Sequence, residues 1–292
     1  DGPNDESLGG NMEQGAKEHK INVVSIAGVD PSGGAGVFAD IKAISACGAY
    51  ACGVVTALTA QNTVGVKGIF PIPPSFVKEQ LDALFEDVTI HSVKIGMLDN
   101  AELIEVVAAT LEKYRPKVVV LDPVMVAKSG DRLLAVEAIS ALRERLLPLA
   151  TMITPNLPEA LALLDQPQRG LSEDEFPAIA ADLWKLMKKR DAWVYLKGGH
   201  LGGSQSPDML FNGYVTVRLE GERLQTKNDH GTGCTLSSAL AALLPHHDVI
   251  EGCRLAKRYL TEALRHADEL GVGEGHGPTN HFWHIASYEE KP

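Results

Sequence analysis

At 292 residues, 45% hydrophobic and 22% charged, the chain has the size and composition of one large α/β domain or two small ones. A formal net charge of −11 excludes nucleic-acid or anionic-membrane binding driven by bulk charge, but not an anionic small substrate held by local amides and a few lysines. Cys47, Cys52, Cys234 and Cys253 form neither a paired metal spacing nor a dense disulfide framework, which points to a reduced, cytoplasmic setting, and no apolar run approaches the roughly 20 residues that span a bilayer.

Residues 1–20 are polar, lack a hydrophobic signal core, and read as a disordered tail or an expression remnant. From Ile21 short β-branched runs alternate with helical segments. Ile21–Ala27 is an apolar run that ends in Gly28, the pattern of a buried parallel strand. Ala35–Cys47 has helical spacing, Gly53–Ala60 reads as a strand and Ser75–Phe85 as a helix. Ser92–Gly96, Lys117–Leu121, Thr151–Thr154 and Trp193–Lys197 supply further buried strands, separated by helical stretches near 100–114, 134–147, 157–164 and 173–189. That order predicts a mostly parallel central sheet with helices on both faces. Met209–Phe211 and Tyr214–Leu219, joined across Asn212-Gly213, predict a short antiparallel hairpin, and two helices near 233–244 and 249–269 follow. No linker or repeat interrupts 21–285, so a single domain over 21–292 is expected.

Chemistry-bearing residues fall just after the strand ends, where open α/β sheets place their ligands. His230-Gly231-Thr232-Gly233-Cys234-Thr235 is a Gly-rich loop that opens a helix; its unpaired amides and the positive end of the helix dipole form an anion site. Cys234 lies in the first turn, where that field favours a thiolate. Gly28 to Gly36 follows the first strand as a backbone-lined pocket; it lacks the Lys-Ser/Thr pair of a P-loop. Gln61-Asn62 ends the second strand with amides able to read the edge of a heterocycle. Asp122 closes a buried strand, and Asn156 and Glu159 follow the next one; these suit Mg²⁺ held largely through water, although Asn156 and Glu159 also have the spacing of a helix capping box. Lys128-Ser129-Gly130 reads as a basic lid, and Lys197-Gly198-Gly199-His200 puts a cation and two glycines at another strand end. His246 and His247 lie in a loop, and His281 and His284 fit a partly buried aromatic tail better than a metal site.

Taken together, "DPSGGAG", "KIGML", "AKSGD", "TPNLPEA" and "HGTGCT" occur in one order across residues 21–285. In this the chain resembles the hydroxymethylpyrimidine/phosphomethylpyrimidine kinases of thiamin biosynthesis, in the ribokinase-like superfamily. The resemblance implies a single ribokinase-like domain that uses ATP and Mg²⁺, and relatives suggest a homodimer. It implies that the pyrimidine lies against Gly28 and Val124, that Asp40 and Gln61 hydrogen-bond its amino group and ring nitrogen, and that Met97 packs on it. It implies that the amides of Gly231, Thr232, Gly233 and Cys234 form an anion hole over the transferring phosphoryl group, with Cys234 as base. Asp122, Asn156 and Glu159 match positions that organise Mg²⁺ and its waters; Lys197, Thr232 and Lys257 match the nucleotide side. Val29, Val37, Phe38 and Asp229 depart from the familiar pattern, and Phe38 is expected to narrow the pocket mouth. The competing readings are a pyridoxal kinase of the same superfamily, disfavoured by Asp40 and Gln61, and a non-catalytic pyrimidine-binding module, disfavoured by Asp122, Glu159 and Cys234.

Overall fold

The computed structural model describes residues 19–125, 134–199, 207–221, 224, 226, 228–229 and 231–285. A nine-stranded sheet runs through them in the order β3-β2-β1-β4-β5-β6-β7-β8-β9. Its parallel centre comprises β1 (Asn22–Val29), β2 (Tyr50–Gln61), β4 (Ser92–Ile95), β5 (Val118–Leu121), β6 (Met152–Ile153) and β7 (Trp193–Lys197). The hairpin forms as expected: β8 (Asp208–Phe211) runs antiparallel to β7, and β9 (Thr216–Leu219) antiparallel to β8. The sequence reading has no counterpart for β3 (Val66–Pro71), which pairs antiparallel with β2 at the sheet edge. Gly68 and Pro71 within it, and its largely exposed side chains, give it none of the apolar signal of a buried strand.

Alternation along the parallel strands sends their side chains to two separate cores. Val24 and Ile26 of β1, Val119 and Leu121 of β5, and Val194 and Leu196 of β7 pack on one face. Val23, Val118, Val120 and Tyr195 pack on the other. Five helices cover the first face: α2 (Pro74–Asp87), α3 (Ala101–Tyr114), α4 (Val136–Ala141), α5 (Leu157–Leu163) and α6 (Phe176–Leu186). The second is covered by α1 (Gly36–Ala46), α7 (Thr232–Leu243) and α8 (Val249–Arg265). Fully burying each large aliphatic side chain, such as Ile26, Leu81 or Leu103, contributes about 1.5–3 kcal/mol.

Helix ends follow local chemistry. Asn100 caps α3 by accepting from the Leu103 N–H, Arg115 closes that helix at φ 48, and Pro74 sits at the start of α2. Around Gly28 the β1–β2 register shifts between Ala27 and Val29, a bulge at the rim of the cavity described below.

Candidate active site

A cavity of about 930 Å³ opens at the C-terminal ends of the parallel strands. Its wall includes Gly28, Gln61, Met97 and Val124 on one side, Asp122, Asn156, Glu159 and Lys197 on another, and Gly231, Thr232, Gly233 and Cys234 along a third. The fold therefore gathers most of the sequence-predicted site residues around one space. Asp40 and Lys257 do not line it.

The loop after β1 is held by Asp30, whose buried carboxylate accepts from the Ser32 N–H (2.9 Å), the Ser32 hydroxyl (2.7 Å) and the Ala35 N–H (3.1 Å). On the neighbouring strands, Thr59 donates to the Val29 carbonyl (2.8 Å) and lies 3.1 Å from Gln61 Oε1. Thr56 donates to the Met97 carbonyl (2.8 Å), which ties the Met97 strand end to β2. Phe38 is 45% exposed and is not part of the cavity wall, so the expected narrowing by this residue does not occur.

Gly231 is the N-cap of α7 at φ +77, and no side chain caps the helix. The first helical bond runs from the Thr235 N–H to the Gly231 carbonyl (2.8 Å), which leaves the Thr232, Gly233 and Cys234 amides without an intrahelical acceptor. The Thr232 hydroxyl donates to the Asp229 carbonyl and so stabilises the loop itself. Asp229 Oδ1 lies 3.1 Å from His276 Nδ1, tying the loop to the chain's C-terminal segment. His230, His200 and the predicted lid Lys128-Ser129-Gly130 lie outside the described residues.

Asn156 and Glu159 form the capping box: Glu159 N–H donates to Asn156 Oδ1 (2.8 Å), and Asn156 N–H donates to Glu159 Oε1 (3.0 Å). Both also line the cavity, so capping and site roles coexist in these residues. Burial pushes the Glu159 carboxyl up to about 7; Lys197 opposes this, Asp122 adds to it, and the Asn156 and Met125 amides oppose it. Asp122 has loose neighbours, with Thr154 Oγ1 at 3.4 Å, Ser237 Oγ at 3.5 Å and Lys197 Nζ at 3.9 Å. Burial works against the Lys197 ammonium, but Asp122, Glu159 and Asp208 outweigh it and hold its pKa above the ordinary lysine value. Two carboxylates on one cavity wall, one of them resisting ionisation, fit a divalent cation. No group of three or more His, Cys, Asp or Glu suited to a metal occurs among the described residues, so such an ion would rely on water and phosphate oxygens.

Three expectations need correction. Asp40 does not face the cavity: it is wholly buried, Oδ1 accepts from Ser238 Oγ (2.8 Å), and Oδ2 accepts from Ser25 Oγ (2.5 Å) and Lys94 Nζ (2.8 Å). Three protein donors thus engage the carboxylate, which is not part of the cavity wall. Lys257 is ion-paired to Asp208 at 2.7 Å, and Asp208 also accepts from Tyr195 Oη (2.7 Å) and the Gly198 N–H (3.0 Å); this cluster backs the turn after β7. For Cys234 the helix field does not prevail. Burial pushes the thiol up to about 11, Lys94 and the Gly36 N–H pull it down, and Asp40 and Asp122 push it further up. The resting sulfur is a thiol.

Lys94 carried no assigned role in the sequence reading, yet it is a fully buried cation at the cavity's end. A lysine interrupting a buried strand is the signal that marks it. His281, by contrast, belongs to the fold. It is buried and its Nε2 lies 3.2 Å from Thr235 Oγ1 and 3.4 Å from Thr279 Oγ1.

Residues 30–280 match the family described as phosphomethylpyrimidine kinase. The chain belongs to this family. It is 50% identical over 264 residues to the hydroxymethylpyrimidine/phosphomethylpyrimidine kinase of Escherichia coli (strain K12), covering 90% of this chain and 98% of that one. Against the enzyme of the same description from Salmonella typhimurium the identity is 51% over the same shares. Among solved structures, the phosphomethylpyrimidine kinase of Clostridium difficile 630 aligns at a TM-score of 0.73 and 40% identity, over 84% of this chain and 99% of that one. An ADP complex of Bacillus subtilis pyridoxal kinase aligns at 0.80 and 34% identity, over 90% and 97%. This kinase thus has the ribokinase-like fold, and its enzyme class is phosphotransferase.

Proposed function

We propose that this kinase transfers the γ-phosphoryl group of ATP to the hydroxymethyl oxygen of 4-amino-5-hydroxymethyl-2-methylpyrimidine, and then phosphorylates the monophosphate to the diphosphate, in thiamin biosynthesis. The observation that carries this reading is that the uncapped N-terminus of α7 and Gln61, Met97 and Val124 line one cavity.

Gln61 reads the amino group and ring nitrogen, Met97 and Val124 hold the ring faces, and Gly28 lets the ring approach the backbone. The Thr232, Gly233 and Cys234 amides stabilise the charge that builds on the transferring group. Lys197 pairs with nucleotide phosphate, and Asp122, Glu159 and Asn156 would hold Mg²⁺ through water. When bound with ATP, Mg²⁺ neutralises phosphate charge. Cys234 sulfur takes the hydroxymethyl proton as the new O–P bond forms and ADP leaves; the thiol first sheds its own proton to solvent. The second transfer starts from a phosphate that is already anionic and needs no base.

No helix among the described residues is long and apolar enough to cross a membrane. A cytoplasmic homodimer fits the four free cysteines and the exposed Leu58, Ile69 and Phe70 of the β2–β3 edge. Pyridoxal is the necessary comparison substrate, because with Asp40 buried the discrimination rests on Gln61. The test is kcat/KM for the pyrimidine alcohol and for pyridoxal under Mg·ATP. A ratio well above one in favour of the pyrimidine supports the reading, and a ratio below one replaces it with vitamin B6 kinase activity.

A further inference from the structure

The fully buried Lys94 has no stated part in the reaction. Ser25 and Lys94 are register partners in the parallel β1–β4 pairing, and both donate to the same oxygen of Asp40. The other Asp40 oxygen accepts from Ser238, one helical turn beyond Cys234 on α7. Asp40 is thereby fixed from two strands and a helix, and it in turn fixes the lysine. The pair is also polarised. Lys94 contributes to the cavity wall and Asp40 does not, so the lysine is the member of the pair next to the site. Among the described residues the buried ammonium donates to Asp40. The space around it is closed: a Cβ on Gly96 would lie 3.0 Å from Nζ, so only glycine fits there without displacing the ammonium.

Isolated buried charges are costly, and a buried ion pair is by itself weak evidence of stabilisation. We infer that Lys94, oriented by Asp40, is a positioning residue for the first phosphoryl transfer, a fixed cation behind Cys234 that stabilises negative charge on the sulfur as it takes the substrate proton. Lys94 and Cys234 line the same cavity, and against the burial that raises the thiol's pKa the lysine's charge pulls it down. The inference rests on the proposed two-step pyrimidine kinase activity. It predicts an effect on the alcohol step that the phosphate step, needing no base, does not share.

The test is the ratio of alcohol-step to phosphate-step rates in Lys94→Met/Asp40→Asn, a double variant that removes both charges while the amide offers its oxygen to one serine hydroxyl and its N–H to the other. Replacing both members of a buried ion pair is often neutral for folding. Because the two steps are measured on one preparation, the ratio is independent of the folded fraction. A fall of about 10²-fold, the scale of one lost electrostatic contributor, with an unchanged KM for ATP is expected. A parental ratio would show the pair to be structural only and overturn the inference. If the double variant gives no folded protein, Lys94→Met alone decides: with the cation gone and Asp40 free to protonate, the ratio is expected to fall about 10²-fold, and a parental ratio overturns the assignment. A parental protein inactive on the pyrimidine alcohol would instead defeat the functional reading itself.

Discussion

The α-carbon of Gly231 stands against the carbonyl of Gly34, so close that a Cβ at residue 231 would fall 1.7 Å from that oxygen. The N-terminal turn of α7 and the loop after β1 are thus locked together by a contact that only glycine permits. Gly231 also has φ +77, in the left-handed region that disfavours a side chain. Gly231→Ala is expected to lower both phosphoryl transfers by at least about 10²-fold, since the amides it aligns serve both steps. Steady-state rates on alcohol and monophosphate check this. Loss in one step alone would mean that the loop does not serve both.

Cys234 should divide the two steps. Removing a general base typically costs about 10²–10⁴ in rate, so Cys234→Ala is expected to lose that much in the alcohol step and far less in the phosphate step. Equal losses in a folded variant would eliminate the sulfur as proton acceptor.

The same residue sets a pH signature. With the thiol pushed up to about 11, the thiolate fraction rises about tenfold per pH unit through the neutral range. The alcohol-step rate should climb from pH 7 to 9, while the phosphate step, whose acceptor has lost its second proton above about pH 6, stays nearly flat. Iodoacetamide labelling of Cys234, followed by mass spectrometry, should accelerate over the same range. Labelling already complete and pH-independent at pH 7 would contradict the resting thiol.

Under the proposed function, Gln61 alone reads the amino-pyrimidine edge. Gln61→Leu should raise KM for the pyrimidine alcohol by about tenfold, the scale of one hydrogen bond with its partner left unsatisfied, with KM for ATP unchanged. An unaltered preference over pyridoxal in this variant would place the discrimination elsewhere.

His281 links the C-terminal segment to stability. Burial, and then the positive charge of Lys42, pushes its pKa down to about 4 from an ordinary value near 6.5. The unfolded chain therefore binds the proton more readily, and the stability from neutral His281 is present above pH 6.5 and lost as pH falls towards 4. The full difference is on the order of 3 kcal/mol. Thermal melts at pH 7 and 4.5 should show a smaller acid-induced drop in His281→Asn than in the parent; equal drops would contradict the assignment.

Much of this was legible in the sequence because glycine-rich and carboxylate-bearing segments follow apolar runs, and each such junction becomes a strand end on one rim. The Asn156–Glu159 capping box could be read from spacing alone. Burial direction could not. Asp40 lies on an amphipathic helix next to apolar residues, and nothing local says that Ser25, Lys94 and Ser238, the last 198 positions away, converge on it. Lys257 likewise meets Asp208 only through the packing of α8 behind β7 and β8. β3 was silent because an exposed edge strand carries no apolar period.

The central claim is tested most directly by incubating the protein with Mg·ATP and 4-amino-5-hydroxymethyl-2-methylpyrimidine and resolving products by chromatography over time. The account predicts that monophosphate rises first and then gives way to diphosphate. Monophosphate that accumulates without conversion, or turnover of pyridoxal alone, would contradict it.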